Sequence, residues 1–331
     1  MKLLFILDPL DELKAYKDTS IAIMRAAQAR GHQIFFCEQG DLYSKGRVFS
    51  RAGRLSLTDN DEDWCRAHPK EIEGLAAFDA VLMRKDPPFD LEYLTSIWLL
   101  SQAEREGARV FNNPAAVRDH NEKLGILEFP RFVAPTLASR DPAEVHAFID
   151  EQRDVILKRL DGMGGESIFR VKVEDPNRNV IVETMTQQGA RSIMAQRYIP
   201  EIKQGDKRIL LIGGKPVPHS LARLAKPGES RANLAAGGRG VAQPLTDREK
   251  EIAAALAAHD REIAETLGPV LAARGLLLVG LDVIGDYLTE VNVTSPTCFR
   301  EIQDQTGFDV SGMFIDALQA ALRAQPRAEA R

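Results

Sequence analysis

Acidic side chains interrupt two apolar runs near the end of the chain, between residues 279 and 292. The pattern predicts two buried strands joined by a turn, with Asp282 on the first strand and Glu290 and Asn292 on the second. Buried carboxylates are costly unless a cation or hydrogen bonds compensate them. A few oxygen ligands that share a cation with phosphates describe a magnesium site, and the hairpin is interpreted as one. The alternative is an edge hairpin with ordinary surface acids.

The length of the turn decides whether these side chains meet. Glu290 and Asn292 are two residues apart and therefore lie on one face of their strand. Asp282 joins that face if the turn has an odd number of residues, such as Gly285–Tyr287. A two-residue turn would place Asp282 opposite Thr289 and direct Glu290 away.

A lysine followed by glycines suggests a phosphate site in residues 156–169. Lys158 ends a predicted strand, and the turn that follows holds Gly162, Met163, Gly164 and Gly165. Glycines let backbone N–H groups approach a phosphate closely. A strand follows the turn, so it is neither a Walker loop nor a Rossmann turn. A flexible hairpin with a surface lysine is the alternative.

Further candidates are weaker when each is taken alone. They are Lys123, in a segment that precedes the strand-rich region, and residues 194–200, a strand that runs into Pro200 and could offer backbone groups to an adenine edge. Arg208 and Arg223 lie at strand ends, where arginines hold phosphoryl or carboxylate groups if they do not serve solubility alone. Residues 228–240 are small and glycine-rich, and they form either a surface loop or a lid that brings Arg231, Asn233 and Arg239 to the reactants.

Strands and helices alternate in the first part of the chain. Strands are predicted at 3–7, 33–37, 80–83 and 108–111, helices at 20–30 and 90–105, and a hairpin between residues 40 and 63. This order predicts a parallel α/β domain over residues 1–120.

The pattern changes beyond residue 150. Strands are predicted at 155–157, 168–173, 193–198, 208–212, 276–284 and 288–293, with long helices at about 176–188 and 246–273. That mixture predicts α+β structure for the rest of the chain, with a frayed tail at 323–331.

Composition excludes several classes of protein. The 331 residues are 44% hydrophobic and 27% charged, with a net charge of −5 and no basic stripe, so nucleic acid is not expected as a partner. No apolar run is long enough to predict a membrane span. Three sparse cysteines fit a reducing compartment, and a cytoplasmic protein is expected.

Taken together, these motifs resemble the ATP-grasp superfamily, and within it the prokaryotic glutathione synthetases. The resemblance covers about residues 2–322. It is carried by MRKDPPFD at 83–90, LDGMGG at 160–165, NLAAGGRG at 233–240 and TEVNVTSPT at 289–297. It implies an N-terminal parallel α/β domain followed by an ATP-grasp fold of two α+β subdomains, at residues 121–200 and 201–322.

The resemblance also implies a reaction and its residues. ATP phosphorylates the cysteinyl carboxylate of γ-glutamylcysteine, and the amine of glycine displaces phosphate. By match, ATP is bound by Lys123, Lys158, 162–165 and the segment Gln196, Arg197, Tyr198 and Ile199. Asp282, Glu290 and Asn292 hold Mg²⁺, with Mn²⁺ as an alternative ion. Arg208, Arg223, Arg231, Asn233 and Arg239 act on the reacting groups, and Arg84, Ser295, Pro296 and Thr297 lie near the substrate carboxylates. Relatives are usually homotetramers.

Two departures from the family pattern lie beside the phosphate turn. Arg159 stands where proline is usual, and Glu166 replaces a small residue. Both could alter ATP affinity, and neither removes a catalytic group. Two other functions remain open: a ligase that adds amino acids to a peptide or protein, and a nucleotide-binding regulator without chemistry. The complete set of Asp282, Glu290 and Asn292 disfavours the regulator.

Overall fold

The computed structural model describes residues 1–162, 167–224, 239–244 and 251–325. In this part of the chain there are three sheets and eight α-helices. The helices are α1 (Thr19–Ala29), α2 (Leu91–Arg105), α3 (Pro114–Asp119), α4 (Pro142–Gln152), α5 (Arg178–Thr186), α6 (Glu251–Ala273), α7 (Phe299–Thr306) and α8 (Val310–Ala324).

The first sheet has a parallel centre with an antiparallel extension. Its strand order is β3-β4-β2-β1-β6-β7, and β5 pairs with β4. Strands β1, β2, β6 and β7 are parallel, as the alternating pattern predicted. The strands are β1 (Lys2–Leu7), β2 (Gln33–Glu38), β3 (Leu42–Lys45), β4 (Arg47–Leu57), β5 (Cys65–Gly74), β6 (Ala80–Met83) and β7 (Val110–Phe111).

The second sheet is small and antiparallel, with the order β10-β9-β11-β8. Helices α4 and α5 cover it, and an apolar cluster that includes Val145, Ile149, Val155 and Val182 fills the space beneath them. Its strands are β8 (Thr136–Ser139), β9 (Asp154–Arg159), β10 (Phe169–Lys172) and β11 (Ile193–Arg197).

The third sheet, with the order β15-β14-β12-β16-β17 and β13 paired to β12, carries the acidic hairpin. Its core continues into the first sheet, because one buried cluster contains Leu4 and Val81 together with Ile209 and Leu281. The strands are β12 (Asp206–Ile212), β13 (Lys215–Pro216), β14 (His219–Leu224), β15 (Arg239–Pro244), β16 (Leu278–Ile284) and β17 (Tyr287–Asn292).

The elements predicted from periodicity exist within a few residues of their expected bounds, but the sequence prediction was incomplete. It missed the helices α3, α4, α7 and α8 and the strands β5, β8 and β13, all of which the structure forms. The predicted loop at 228–240 was also too long, because Arg239 and Gly240 belong to β15 and pair with Leu224 and Arg223. No helix within the described ranges is long and apolar enough to span a membrane.

Candidate active site

A cleft between the second and third sheets gathers the predicted nucleotide residues. One part of its lining is apolar and consists of isoleucine side chains, and another part is charged and holds Lys158, Asp206, Asp282 and Glu290. An aromatic base fits an apolar slot, whereas phosphates require cations and N–H donors. The isoleucines are Ile156, Ile168, Ile199, Ile202 and Ile284.

Two buried lysines lie at the charged end. Lys158, at the end of β9, is 7% exposed, and its Nζ lies 3.5 Å from Oε1 of Gln196 on β11. Lys123 is 5% exposed, and its Nζ donates to the carbonyl of Gly162 at 2.7 Å and lies 3.5 Å from Glu290 Oε1. Burial lowers the pKa of Lys158, with the positive charge of Lys123 adding to the effect and Glu290 opposing it. Neither lysine is a solvated surface group, and both are positioned for an anion.

The acidic hairpin brings its carboxylates together by a route that the sequence analysis did not foresee. The turn is the two-residue Gly285–Asp286, so the expectation that such a turn would direct Glu290 away from Asp282 is wrong. Ile284 pairs with Tyr287 and Val283 with Leu288, but the register then shifts and Asp282 pairs with Glu290. Thr289 is the additional residue of a β-bulge, and its Oγ1 donates to the Asp282 carbonyl at 3.1 Å. The bulge therefore places Glu290 on the face of Asp282.

Asp282 is the centre of a buried ion-pair network with the two predicted arginines. Its Oδ1 accepts from Arg208 Nε at 2.5 Å, and its Oδ2 lies 3.1 Å from Arg208 Nη2 and 2.8 Å from Arg223 Nη2. Burial alone would raise the pKa of Asp282, but the two guanidinium groups hold that pKa well below its ordinary value. Both arginines are thus fixed beside the cleft, although neither is free of a carboxylate partner.

Asp206 is a functional candidate that the sequence analysis did not select. It opens β12, lines the cleft, and accepts from Arg223 Nη2 at 2.5 Å through Oδ2. Its Oδ1 is buried without a hydrogen-bond partner in the described structure. Burial, and then the Asp282 and Glu290 carboxylates, raise the pKa of Asp206 against the opposing charge of Arg223. The signal was its position, two residues before Arg208 at the start of a buried strand.

Asp206, Asp282, Glu290 and Asn292 suit a hard divalent cation that also binds phosphate oxygens. The metal-binding atoms they offer are all oxygens. Asp206 Oδ1 lacks a hydrogen-bond partner, and the carboxylates repel one another. The described residues contain no group of three or more His, Cys, Asp or Glu side chains that could alone hold a metal. Magnesium characteristically binds to one or two carboxylates and completes its shell with water and substrate phosphates. Asn292 donates through Nδ2 to the Gly280 carbonyl at 3.1 Å, and this bond orients the Asn292 amide beside Asp282 and Glu290.

The segment expected to bind adenine, residues 194–200, includes a backbone N–H that is available to a ligand. The Tyr198 amide donates to the Asp154 carbonyl at 2.9 Å, whereas the Ile199 amide has no backbone partner among the described residues. Arg197 is held by the Tyr287 hydroxyl at 2.9 Å, and the Arg170 guanidinium stacks 3.5 Å from the centre of the Tyr198 ring. The Ile199 N–H is therefore the candidate donor to the base.

The structure brings Arg84 and the turn at 295–297 into contact. Arg84 Nη2 donates to the Pro296 carbonyl at 2.9 Å, and Ser295 Oγ donates to the Arg84 carbonyl at 3.1 Å. Glu122, which the sequence analysis did not select, accepts through Oε1 from the Thr294 hydroxyl at 2.7 Å and from the Val293 amide at 3.2 Å. Glu122 precedes Lys123, so one short segment positions both this turn and the Gly162 carbonyl.

Some predicted residues lie outside the described part of the chain. They are Met163, Gly164, Gly165 and Glu166 of the phosphate turn, and Arg231 and Asn233 of the expected lid. Arg159 forms an ion pair with Asp161 at 3.1 Å.

Solved structures share the architecture of this chain. D-cycloserine synthetase DcsG matches with a TM-score of 0.64 at 16% identity, over 97% of this chain and 99% of that one. The ATP-grasp ligase PsnB, complexed with minimal precursor, Mg and ADP, matches with a TM-score of 0.59 at 17% identity, over 97% and 98%. Together with the cleft, these matches place the chain in the ATP-grasp fold.

The family follows from sequence comparison. The model of the prokaryotic glutathione synthetase N-terminal domain matches residues 1–118, and that of the prokaryotic glutathione synthetase ATP-grasp domain matches residues 122–307. Glutathione synthetase of Ralstonia nicotianae is 58% identical over 97% of this chain and 96% of its own. Those of Nitrosomonas europaea and Pseudomonas aeruginosa are 55% and 50% identical over 98% or more of both chains. The chain belongs to the prokaryotic glutathione synthetase family and is an ATP-dependent carbon–nitrogen ligase.

Proposed function

We propose that the chain makes glutathione from γ-glutamylcysteine, glycine and ATP through an acyl phosphate. The observation that carries this proposal is the pairing of Asp282 with Glu290 in a cleft that Lys158 also lines, with the buried Lys123 at 3.5 Å from Glu290. The cysteinyl carboxylate attacks the γ-phosphorus of ATP and ADP leaves. The glycine amine then attacks the acyl carbon, loses a proton and expels phosphate.

The protein's part in this reaction is to hold and orient charge. Lys158 and Lys123 neutralise ATP phosphates, and the isoleucine slot with the Ile199 N–H receives adenine. Asp282, Glu290 and Asn292 would hold Mg²⁺ or Mn²⁺, which neutralises the charge on the transferred phosphoryl group. Asp206 lies close enough to contribute to the same site. No side-chain nucleophile is required, because the substrate carboxylate is the nucleophile.

Arg208 and Arg223 act on the charge that develops during transfer. Both are nine-tenths buried or more and are fixed by Asp282, so their donors need little reorganisation when the acyl phosphate forms. Arg84 and the 295–297 turn receive the substrate. The lid is assigned to residues 228–238, which include Arg231 and Asn233, and Arg239 follows it as a further polar group. Cytoplasmic location remains a prediction from the sparse cysteines and the absence of a predicted membrane span, and a homotetramer remains a prediction from the family resemblance.

Phosphate release tests the proposal. The enzyme would be supplied with Mg-ATP, γ-glutamylcysteine and a panel of amines: glycine, alanine, serine, glutamate and none. Release is expected to require both substrates and to be fastest with glycine. A ligase that adds amino acids to a peptide or protein would instead ignore γ-glutamylcysteine, and ADP formation without any acceptor would indicate a regulator.

A further inference from the structure

The outer edge of β17, the strand that carries Glu290 and Asn292, is covered by a short segment of chain. Strand β17 ends the third sheet, so one of its edges pairs with β16 and the other has no neighbouring strand. Backbone groups on such an edge need other partners when they are buried. Residues 120–123, which follow α3, lie against this edge and supply those partners.

Val291 is held at both of its backbone groups. Its N–H donates to the Glu122 carbonyl at 2.9 Å, and its own carbonyl accepts from His120 Nε2 at 3.2 Å. The N–H belongs to the peptide unit that joins Val291 to Glu290, and the carbonyl belongs to the unit that joins it to Asn292. Both peptide units between these two residues are therefore fixed from outside the sheet, and so are the directions in which their side chains leave the strand.

His120 is a buried side chain committed to this one hydrogen bond. It is 7% exposed, and its Nδ1 is buried without a hydrogen-bond partner in the part of the chain that the structure describes. A carbonyl can only accept, so Nε2 carries the hydrogen and Nδ1 is left unpaired at a cost in free energy. Gly125 lies against the ring, since a Cβ there would be 2.2 Å from Cε1 of His120 and 2.4 Å from its Nε2. The surroundings thus hold the ring with its donor directed at Val291.

We propose that His120 is a positioning residue for the metal site, acting through the Val291 carbonyl on the directions of Glu290 and Asn292. The proposal rests on the proposed function, which assigns those two residues to the metal. The bond from Val291 to Glu122 joins two main-chain groups and does not depend on the side chain at 122, whereas the bond to the carbonyl requires a donor at 120. Removing a group that orients metal ligands lowers metal affinity by about 10- to 100-fold.

Binding of a non-hydrolysable ATP analogue tests the proposal without turnover. Isothermal titration is carried out with Mg²⁺ and again with EDTA, and the dissociation constant in EDTA is divided by that in Mg²⁺. The ratio, called here the magnesium gain, is the part of the affinity that depends on the metal. A structural defect in the cleft weakens binding under both conditions and leaves the magnesium gain unchanged.

Two exchanges at residue 120 differ only in where they place a donor. Glutamine places an amide nitrogen at the position of His120 Nε2, whereas asparagine places it nearer to Nδ1 and out of reach of Val291. His120→Asn is expected to lower the magnesium gain by about 10-fold while the affinity in EDTA stays unchanged. His120→Gln is expected to keep the wild-type magnesium gain. The same two exchanges at His68, an exposed residue of β5, are the matched controls and should both leave it unchanged.

Gly125→Ala displaces the ring and leaves every hydrogen-bonding group in place. It is expected to lower the magnesium gain as His120→Asn does, because the new methyl group occupies the position of the ring edge. In a double variant with His120→Asn it should add no further loss, since asparagine lacks the ring atoms that the methyl group meets. Gly125→Ala also supplies the measurement should His120→Asn not fold.

Two results would overturn the proposal: an equal magnesium gain in His120→Asn and His120→Gln, or a loss of affinity that is the same in Mg²⁺ and in EDTA. The second result would give His120 a structural role alone. Glutathione formation by the wild type is measured separately. A wild type that makes none would refute the proposed function, whereas the magnesium gains would still report on His120.

Discussion

At the scale of single residues, the site depends on charges held out of water. Lys123, Lys158, Arg208, Arg223 and Asp282 are each 7% exposed or less. Their residue types and order along the chain were enough to select them from the sequence. Their pairing was not, because which arginine meets which carboxylate depends on strand register and not on spacing along the chain. Asp206 was missed for the same reason.

Lys158→Ala is expected to raise the dissociation constant of ATP by about 100-fold, since it removes a desolvated cation beside the phosphates. More γ-glutamylcysteine should not compensate for the loss. Isothermal titration with a non-hydrolysable ATP analogue measures it. Lys172→Ala, an exposed lysine on β10, is the control, and an unchanged affinity in Lys158→Ala would assign Lys158 to a structural role.

Glu290→Gln is expected to lower kcat by about 100-fold while the protein stays folded, because the change removes one anionic metal ligand. Rates measured across a magnesium series, with circular dichroism on the same samples, check both parts. Asp286→Asn in the exposed turn is the matched control. Near-normal turnover of Glu290→Gln at low magnesium would show that Glu290 is not a ligand.

At the scale of elements, turns and bulges decide what the strands present. Periodicity predicted both strands of the acidic hairpin, yet the bulge at Thr289 has no sequence signature that distinguishes it from an ordinary strand residue. The missed elements have similar causes. Strand β5 is mostly exposed and lacks apolar alternation. No element was predicted beyond residue 293, although only the last two residues of α8 fall in the expected frayed tail.

Helix α6 packs on the β12–β13 turn through two glycines. A Cβ on Gly268 would lie 2.2 Å from the Gly214 carbonyl oxygen, and Gly214 has a φ of +77°. Alanine normally stabilises a helix relative to glycine, but here backbone would have to move. Gly268→Ala is therefore expected to lower the free energy of unfolding by about 1–3 kcal/mol. Urea denaturation measures it.

Gly40→Ala is the control for that change, because nothing lies within 4 Å of its would-be Cβ and its φ is not positive. If Gly268→Ala were as stable as Gly40→Ala, the close approach of α6 would be wrong.

At the scale of the whole molecule, the first and third sheets share buried clusters while the second sheet has its own. The predicted succession of a parallel α/β part and an α+β part is confirmed. The sharing of a core was not predictable, since apolar periodicity shows which face of an element is buried but not which partner covers it.

Asn112 connects the first sheet to the third. It is 9% exposed, its Nδ2 donates to the Leu278 and Val293 carbonyls at 2.7 Å, and its Oδ1 accepts from the Leu278 amide at 2.9 Å. Asn112→Ala leaves these backbone groups unpaired, and it is expected to lower the free energy of unfolding by about 3 kcal/mol. Thermal and urea denaturation measure the loss. Asn177→Ala, an exposed cap without a side-chain bond, should be near neutral, and equal stability of the two variants would contradict the role of Asn112.

The most direct measurement follows oxygen from substrate to phosphate. γ-Glutamylcysteine labelled with ¹⁸O in its cysteinyl carboxylate would be converted with glycine and Mg-ATP in unlabelled water, and the released phosphate analysed by mass spectrometry. An acyl phosphate requires one labelled oxygen in each phosphate released, with glutathione formed in equal amount. Phosphate that carries no label, or that takes its oxygen from labelled water in the converse experiment, would contradict the account.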